Sequence, residues 1–161
     1  MKNYLSQLAS LNMRKQLTYE GLNSCIIMNS PASEVRIADC KNKLFIEIPE
    51  EYITFLSYFD GGTIFKIEDF AGLKLFGVEE LISENSFQKK NFGEEWDDSI
   101  LLFSVFLGDN EYLGFKFDRF NRYTIVHAIM ELVPGEWNII EVRFDDLMDK
   151  FLEAKGKKYW L

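Results

Sequence analysis

The side chains able to do chemistry are few, and their spacing is poor for it. His127 is the only histidine, and Cys25 and Cys40 are the only cysteines. Fourteen residues separate the two thiols, which is no Cys-x-x-Cys ligand pair, and one imidazole does not complete a zinc set. No metal site is expected. His127 lies within Ile125-Val126-His127-Ala128-Ile129, where strand alternation sets it opposite Val126 and Ala128. A histidine at a sheet edge, or partly buried in a strand, is expected there rather than a general base. The sequence holds no Gly-x-Ser-x-Gly, P-loop or Gly-x-Gly-x-x-Gly, so nucleophile-elbow and phosphate-cradle chemistry lack a motif, and no cofactor is expected.

Paired carboxylates are the one catalytic arrangement left open. Retaining glycoside cleavage needs only two acids about 5 Å apart, and Glu94, Glu95, Asp97 and Asp98 are close in sequence. They sit in a polar stretch with little to desolvate any of them, so a solvated acidic loop is expected ahead of a small carboxylate-based hydrolase. The charge pattern around them is more distinctive. No lysine or arginine occurs between Lys90 and Lys116, while Glu94, Glu95, Asp97, Asp98, Asp109 and Glu111 supply six negative charges. Trp96 stands among four of these acids. An indole with a carboxylate rim suits an anchor for a basic protein surface, so these seven residues form the candidate partner-binding site.

Composition bounds the partner. The chain has 161 residues, enough for one domain with a substantial core. Residues 1–48 carry six basic and four acidic side chains, a balance of +2, while residues 49–161 carry −10. An acidic body repels phosphate backbones and anionic lipid, so neither nucleic acid nor membrane is expected as a direct partner; a basic protein would be steered in. The start Met1-Lys2-Asn3-Tyr4-Leu5-Ser6-Gln7 lacks the apolar core of a signal peptide. The longest apolar run, Ile100 to Leu107, is too short to span a bilayer. A cytoplasmic location with two free, buried thiols is the expectation.

The positioning elements centre on Ile48 to Gly62. Pro49 suits the first position of a helix, and Glu50 and Glu51 favour its first turn. Tyr52, Phe55, Leu56 and Phe59 fall on one stripe at helical spacing, with Ile48 placed to fold beneath it. Asp60-Gly61-Gly62 ends the helix. Before it, residues 3–12 predict an amphipathic helix. Residues 13–30 predict either a hairpin with Ser24 to Met28 as a strand or a loose connection. Ser30-Pro31 is the expected cap of a helix from Ala32 to Lys41, which leads through Leu44-Phe45-Ile46.

After Gly62, strands are expected at Thr63 to Ile67 and Leu73 to Phe76, and a helix from Val78 that frays near Asn85. Lys89 to Ser99 reads as a polar loop. Strands follow at Ile100 to Leu107, Tyr112 to Phe117, Tyr123 to Met130 and Asn138 to Val142, joined by short turns that favour antiparallel neighbours. A closing helix aligns Phe144, Leu147, Met148, Phe151 and Leu152, with Gly156 as its stop. A block of strands with helices before and after predicts an α+β single domain built on a mainly antiparallel sheet.

The Pro49-Glu50-Glu51-Tyr52-x-x-Phe55-Leu56 helix ending in Gly61-Gly62 resembles the opening of the SUKH superfamily, which takes in the fungal Smi/Knr cell-wall regulators and many bacterial immunity proteins. The resemblance continues through Leu75-Phe76-Gly77-Val78-Glu79-Glu80-Leu81, the strands around Ile100 to Phe117 and the helix from Phe144 to Leu152, roughly residues 33 to 155. It implies a non-enzymatic protein that binds a cognate toxin domain, often a nuclease, and neutralises it by stoichiometric blocking. A regulatory or scaffold role of the Smi/Knr type is the other function it allows.

Overall fold

A computed structural model describes residues 3–161. Five helices, α1 (Asn3–Leu11), α2 (Glu34–Lys43), α3 (Glu50–Tyr58), α4 (Val78–Phe92) and α5 (Phe144–Glu153), pack on one sheet. Its strands are β1 (Lys15–Leu17), β2 (Asn23–Met28), β3 (Gly62–Ile67), β4 (Ala71–Leu75), β5 (Ile100–Phe106), β6 (Glu111–Phe117), β7 (Tyr123–Ile129) and β8 (Asn138–Glu141). They lie side by side in chain order, each antiparallel to the next. The α+β single-sheet architecture is thus observed, and residues 13–30 take the hairpin alternative, with β1 paired to β2.

Both faces of the sheet are covered near its centre. Leu113 opposite His127 and Phe115 opposite Ile125 set one face, and Tyr112 opposite Ala128 and Gly114 opposite Val126 set the other. On the first face Phe115 meets Tyr52 of α3 at 5.7 Å and Phe144 of α5 at 6.0 Å between ring centres. On the second face the Tyr112 ring meets Phe76 at 6.3 Å, and its hydroxyl accepts a bond from Gln88 of α4 at 3.2 Å. The expected stripe of α3 is buried, as is Ile48.

Tyr52 joins these parts. Its ring is fully buried against Phe55, Phe103, Phe115 and Phe144. Its hydroxyl donates to the Phe76 carbonyl at 2.6 Å, with the Phe103 carbonyl at 3.1 Å. Burial holds the phenol well above its ordinary pKa, so it stays a donor. Phe76 is where the chain leaves β4 for α4, and the residues ending α3 meet it there. Asp60 Oδ1 accepts from the Val78 N–H at 2.8 Å, capping α4 from a neighbouring segment, while Oδ2 takes Arg36 at 2.7 Å. The fit is so close that a Cβ on Gly77 would lie 2.5 Å from Asp60 Oδ1. Asp60-Gly61-Gly62 therefore does more than stop a helix: Gly61, at φ 78°, passes against the Gly77 backbone, and Asp60 fixes where α4 starts.

Three expectations need correction. The cap of α2 is Ser33, whose hydroxyl accepts from the Arg36 N–H, and not Ser30. Residues 30–32 instead run beside the end of α3, where the Ser30 carbonyl accepts from Asp60 and the Ala32 N–H donates to Leu56. Pro49 stands at the cap position just before α3 rather than inside its first turn. The helix expected to fray near Asn85 continues to Phe92, so residues 89–92 of the supposed polar loop are helical. Asn85 is the reason: its amide donates to the Leu81 and Leu102 carbonyls and accepts from the Leu102 N–H at 2.8 Å. Pairing of β4 with β5 stops at Leu75–Ser104, and Asn85 satisfies backbone groups that this leaves on the edge of β5.

Tyr52→Phe removes the only hydrogen that the Phe76 carbonyl receives from α3, leaving a buried acceptor poorly satisfied. It should cost about 1–3 kcal/mol in urea unfolding; an unchanged midpoint would show that the hydroxyl does not hold the β4–α4 junction.

Candidate functional site

The seven proposed partner-binding residues fall in two places. Glu94, Glu95, Trp96, Asp97 and Asp98 lie together where α4 passes through the 3-10 turn Gly93–Glu95 into β5. Asp109 and Glu111 lie at the other end of β5, about 20 Å along a seven-residue strand. The run without basic residues is also not a run without basic neighbours. Lys158, from the segment after α5, sits 2.8 Å from Asp109 and 3.0 Å from Glu111. Lys89 is 3.0 Å from Asp98, and Lys116 is 3.8 Å from Asp97. Asp97 also accepts from the Ser99 N–H and hydroxyl, at 2.9 and 2.6 Å, which shapes the entry to β5. Glu94 and Glu95 are exposed and form no ion pair among the described residues.

Trp96 has two sides. One packs on Phe92 at 6.0 Å and Trp137 at 6.4 Å, covering the edge of the core. The other lines a groove of about 340 Å³ shared with Phe45, Ile46, Ile82, Lys89 and Asp98. Phe45 is 100% exposed, the most exposed large apolar side chain of the described residues. Lys89 lies 5.4 Å over its ring, and a second hollow on its other side is bordered by Glu47, Glu50 and Ile53. Sequence reasoning passed over Phe45 as part of an approach to α3. The signal was present: three consecutive apolar residues, Leu44-Phe45-Ile46, cannot all share one face, and the middle one points outward while its neighbours are half-buried.

The groups with catalytic potential are engaged elsewhere. His127 is 4% exposed in β7, one strand in from the edge. Its Nδ1 accepts from the Trp160 indole at 3.2 Å, which leaves the proton on Nε2, bonded to Glu111. Burial holds its pKa below the ordinary histidine value, opposed by Glu111. Cys40 is buried, donates to the Val78 carbonyl and is pushed by burial up to about 11, an inert thiol. Cys25 is only half-buried, which corrects the expectation for that thiol; both are free. Among the described residues no group of three His, Cys, Asp or Glu side chains could hold a metal ion. No helix of the described residues is long and apolar enough to cross a membrane.

A meander of antiparallel strands with helices on both faces describes an α+β protein, with exposed aromatic side chains on the loop before α3 and in the second half of α4. A model of the SMI1 / KNR4 family (SUKH-1) matches residues 31–150. The chain belongs to that family. The match takes in α2, the Tyr52 helix with its Asp60-Gly61-Gly62 end, and the Trp96 groove. No curated protein matches the chain in sequence.

The His127 network has a pH consequence with a definite sign. Below about pH 6.5 the unfolded chain takes up a proton on this side chain that the folded chain, with its depressed value, refuses. Its contribution to stability is therefore present above that pH and lost as pH falls. Urea midpoints should drop from about pH 7 to 5.5 for the native chain, with a shallower slope for His127→Gln; equal slopes would place the pH dependence elsewhere.

Proposed function

We propose that this protein is a binding protein of the immunity type: it neutralises a cognate bacterial toxin, a basic domain of the nuclease kind, by occupying its surface stoichiometrically without catalysis. The observation that carries the proposal is Phe45, a fully exposed phenylalanine with a hollow on each side and the Trp96 indole across one of them. Exposed aromatic side chains beside a well-packed groove are the kind of residue that dominates binding energy. Glu94 and Glu95, unpaired at the rim, supply attraction to a basic partner without a competing internal lysine. The net charge of −8 extends that attraction over the approach.

Asp97, Asp98, Asp109 and Glu111 take lesser parts in this proposal, since each is already matched by a lysine. The fold supports the blocking role physically. A rigid scaffold that presents a preformed surface loses little freedom on binding, and α4, β5 and the loop at residues 44–46 are all tied to the core around Tyr52.

A toxin-like reading frame immediately upstream of this one is the expected source of the partner; where it is found, co-expression of this chain should restore growth and yield a one-to-one complex, and its absence would favour the regulatory role. Against that partner, Glu94→Lys with Glu95→Lys should slow association and flatten its salt dependence. Phe45→Ala should instead speed dissociation, at a cost of about 2 kcal/mol. Normal growth protection by the Phe45 variant would remove the groove from the interface. A native partner that is an endogenous signalling protein would assign the chain the regulatory role of the Smi/Knr type instead.

A further inference from the structure

The segment that follows α5 folds back across the sheet, and the contacts that hold it there converge on His127. Its start is fixed, because the Tyr19 N–H donates to the Lys155 carbonyl at 3.0 Å. Gly156 then turns the chain at φ 89°, so close to Phe65 that a Cβ would lie 3.1 Å from its ring. Beyond that turn Lys158 sets its ammonium 4.4 Å over the Phe106 ring. The Trp160 indole packs on Phe106 at 6.1 Å and on His127 at 5.6 Å between ring centres. Residues 158–160 thereby cover Phe106 of β5 and His127 of β7, both of which are buried.

Two polar anchors of this segment end on His127 or on its partner. The Trp160 indole donates to Nδ1, so the imidazole proton lies on Nε2, bonded to Glu111 Oε1. Lys158 donates to that same Glu111 oxygen at 3.0 Å and to Asp109 at 2.8 Å. A third anchor, the Tyr159 hydroxyl, donates to Glu141 of β8 at 3.3 Å, and Lys150 of α5 holds the same oxygen at 2.8 Å. The residues opposite His127 on the neighbouring strands, Leu113 and Asn138, carry no charge. The charged groups facing the imidazole are therefore Glu111, Asp109 and Lys158, with Glu141 and Lys150 farther along the same surface. A second proton would sit on Nδ1, N–H against N–H, and the indole has no lone pair to accept it. The imidazolium would also become a second cation on the oxygen that Lys158 uses.

We propose that residues 157–161 form a proton-released strap: a proton on His127 expels the Trp160 indole, takes Glu111 from Lys158, and lets the segment swing at Gly156 while the sheet and α5 stay folded. The imidazolium–Glu111 pair that results joins β7 to β6, so its gain goes to the sheet and the loss falls on the strap. Burial holds the His127 pKa below its ordinary value. The strap is therefore closed at neutral pH, and its hold is lost as pH falls into mild acid. The Glu141 anchor does not titrate with it: burial raises that carboxyl, but Lys150 outweighs burial and keeps it below the ordinary range. Release bares Phe106 and opens a hollow of about 550 Å³ that Lys158 and Leu161 border. This surface lies at the far end of β5 from Glu94 and Trp96, so the strap does not rest on the proposed toxin contact.

Nitrogen-15 relaxation on the full chain tests it, since His127 is the only histidine and its ring protons report their own titration. From about pH 7.5 to about pH 5, amide order parameters of residues 158–160 should fall from about 0.85 to below about 0.6, with those of β5, β6 and β7 unchanged. The midpoint should coincide with the His127 titration. His127→Gln, which has no titrating ring, should keep these residues equally ordered at both pH values. Trp160→Phe keeps an aromatic ring but lacks the indole N–H that opposes protonation. In that variant His127 should titrate about half a pH unit higher or more. A strap that stays rigid through the His127 titration, that loosens alike in His127→Gln, or that loosens together with β6 and β7 would overturn the proposal. So would a Trp160→Phe variant whose His127 midpoint is unmoved.

Discussion

A hydrogen bond from the Tyr52 hydroxyl to the Phe76 carbonyl ties a nine-residue helix to the point where β4 turns into α4. Around that bond the Tyr52 ring touches β5, β6 and α5 through Phe103, Phe115 and Phe144. A polar group at the centre of an aromatic core is costly unless satisfied, so the hydroxyl admits few alternative positions for its partner carbonyl. Asp60 adds a second restraint from the other end of α3 by capping α4. Together they set the position of α4 relative to β5, and α4 is one wall of the Phe45–Trp96 groove. Short elements that could not be stable alone are placed by contacts between them.

Much of this was legible in the chain because it depends on local periodicity. The stripe Tyr52, Phe55, Leu56 and Phe59 identified α3 and its buried face, and turn residues separated β5, β6 and β7 in the right order. What was not legible depends on distant partners. Nothing near Asn85 shows that its amide will bond a strand seventeen residues away, so a polar residue in a helix looked like its end. Ser30 and Ser33 are equally good caps by type, and only the docking of residues 30–32 on the end of α3 decides between them. The three-residue β1 is too short to carry a pattern and exists through its pairing with β2.

The candidate site shows the same division for charge. Counting along the chain gathers six acids into one region, while folding separates them by the length of β5 and brings lysines from positions 89, 116 and 158 to four of them. Linear charge density thus overstated the negative field, and Glu94 and Glu95 remain as its unpaired part. Apolar exposure ran the other way. Phe45 hid in a run that resembled core, and Tyr19 and Leu22 of the β1–β2 turn meet Phe70 of the β3–β4 turn in one hollow only through the sheet topology.

The surface proposed to receive a partner protein is that at Phe45, Trp96, Glu94 and Glu95, on a scaffold proposed not to rearrange on binding. Amide hydrogen exchange of the chain, alone and in complex with a toxin domain whose activity it is found to block, tests this most directly. Slower exchange confined to residues 43–48 and 86–98, with the strands around Tyr52 unaltered, is the predicted result. Protection concentrated elsewhere on the sheet, or unchanged exchange at both segments, would contradict it.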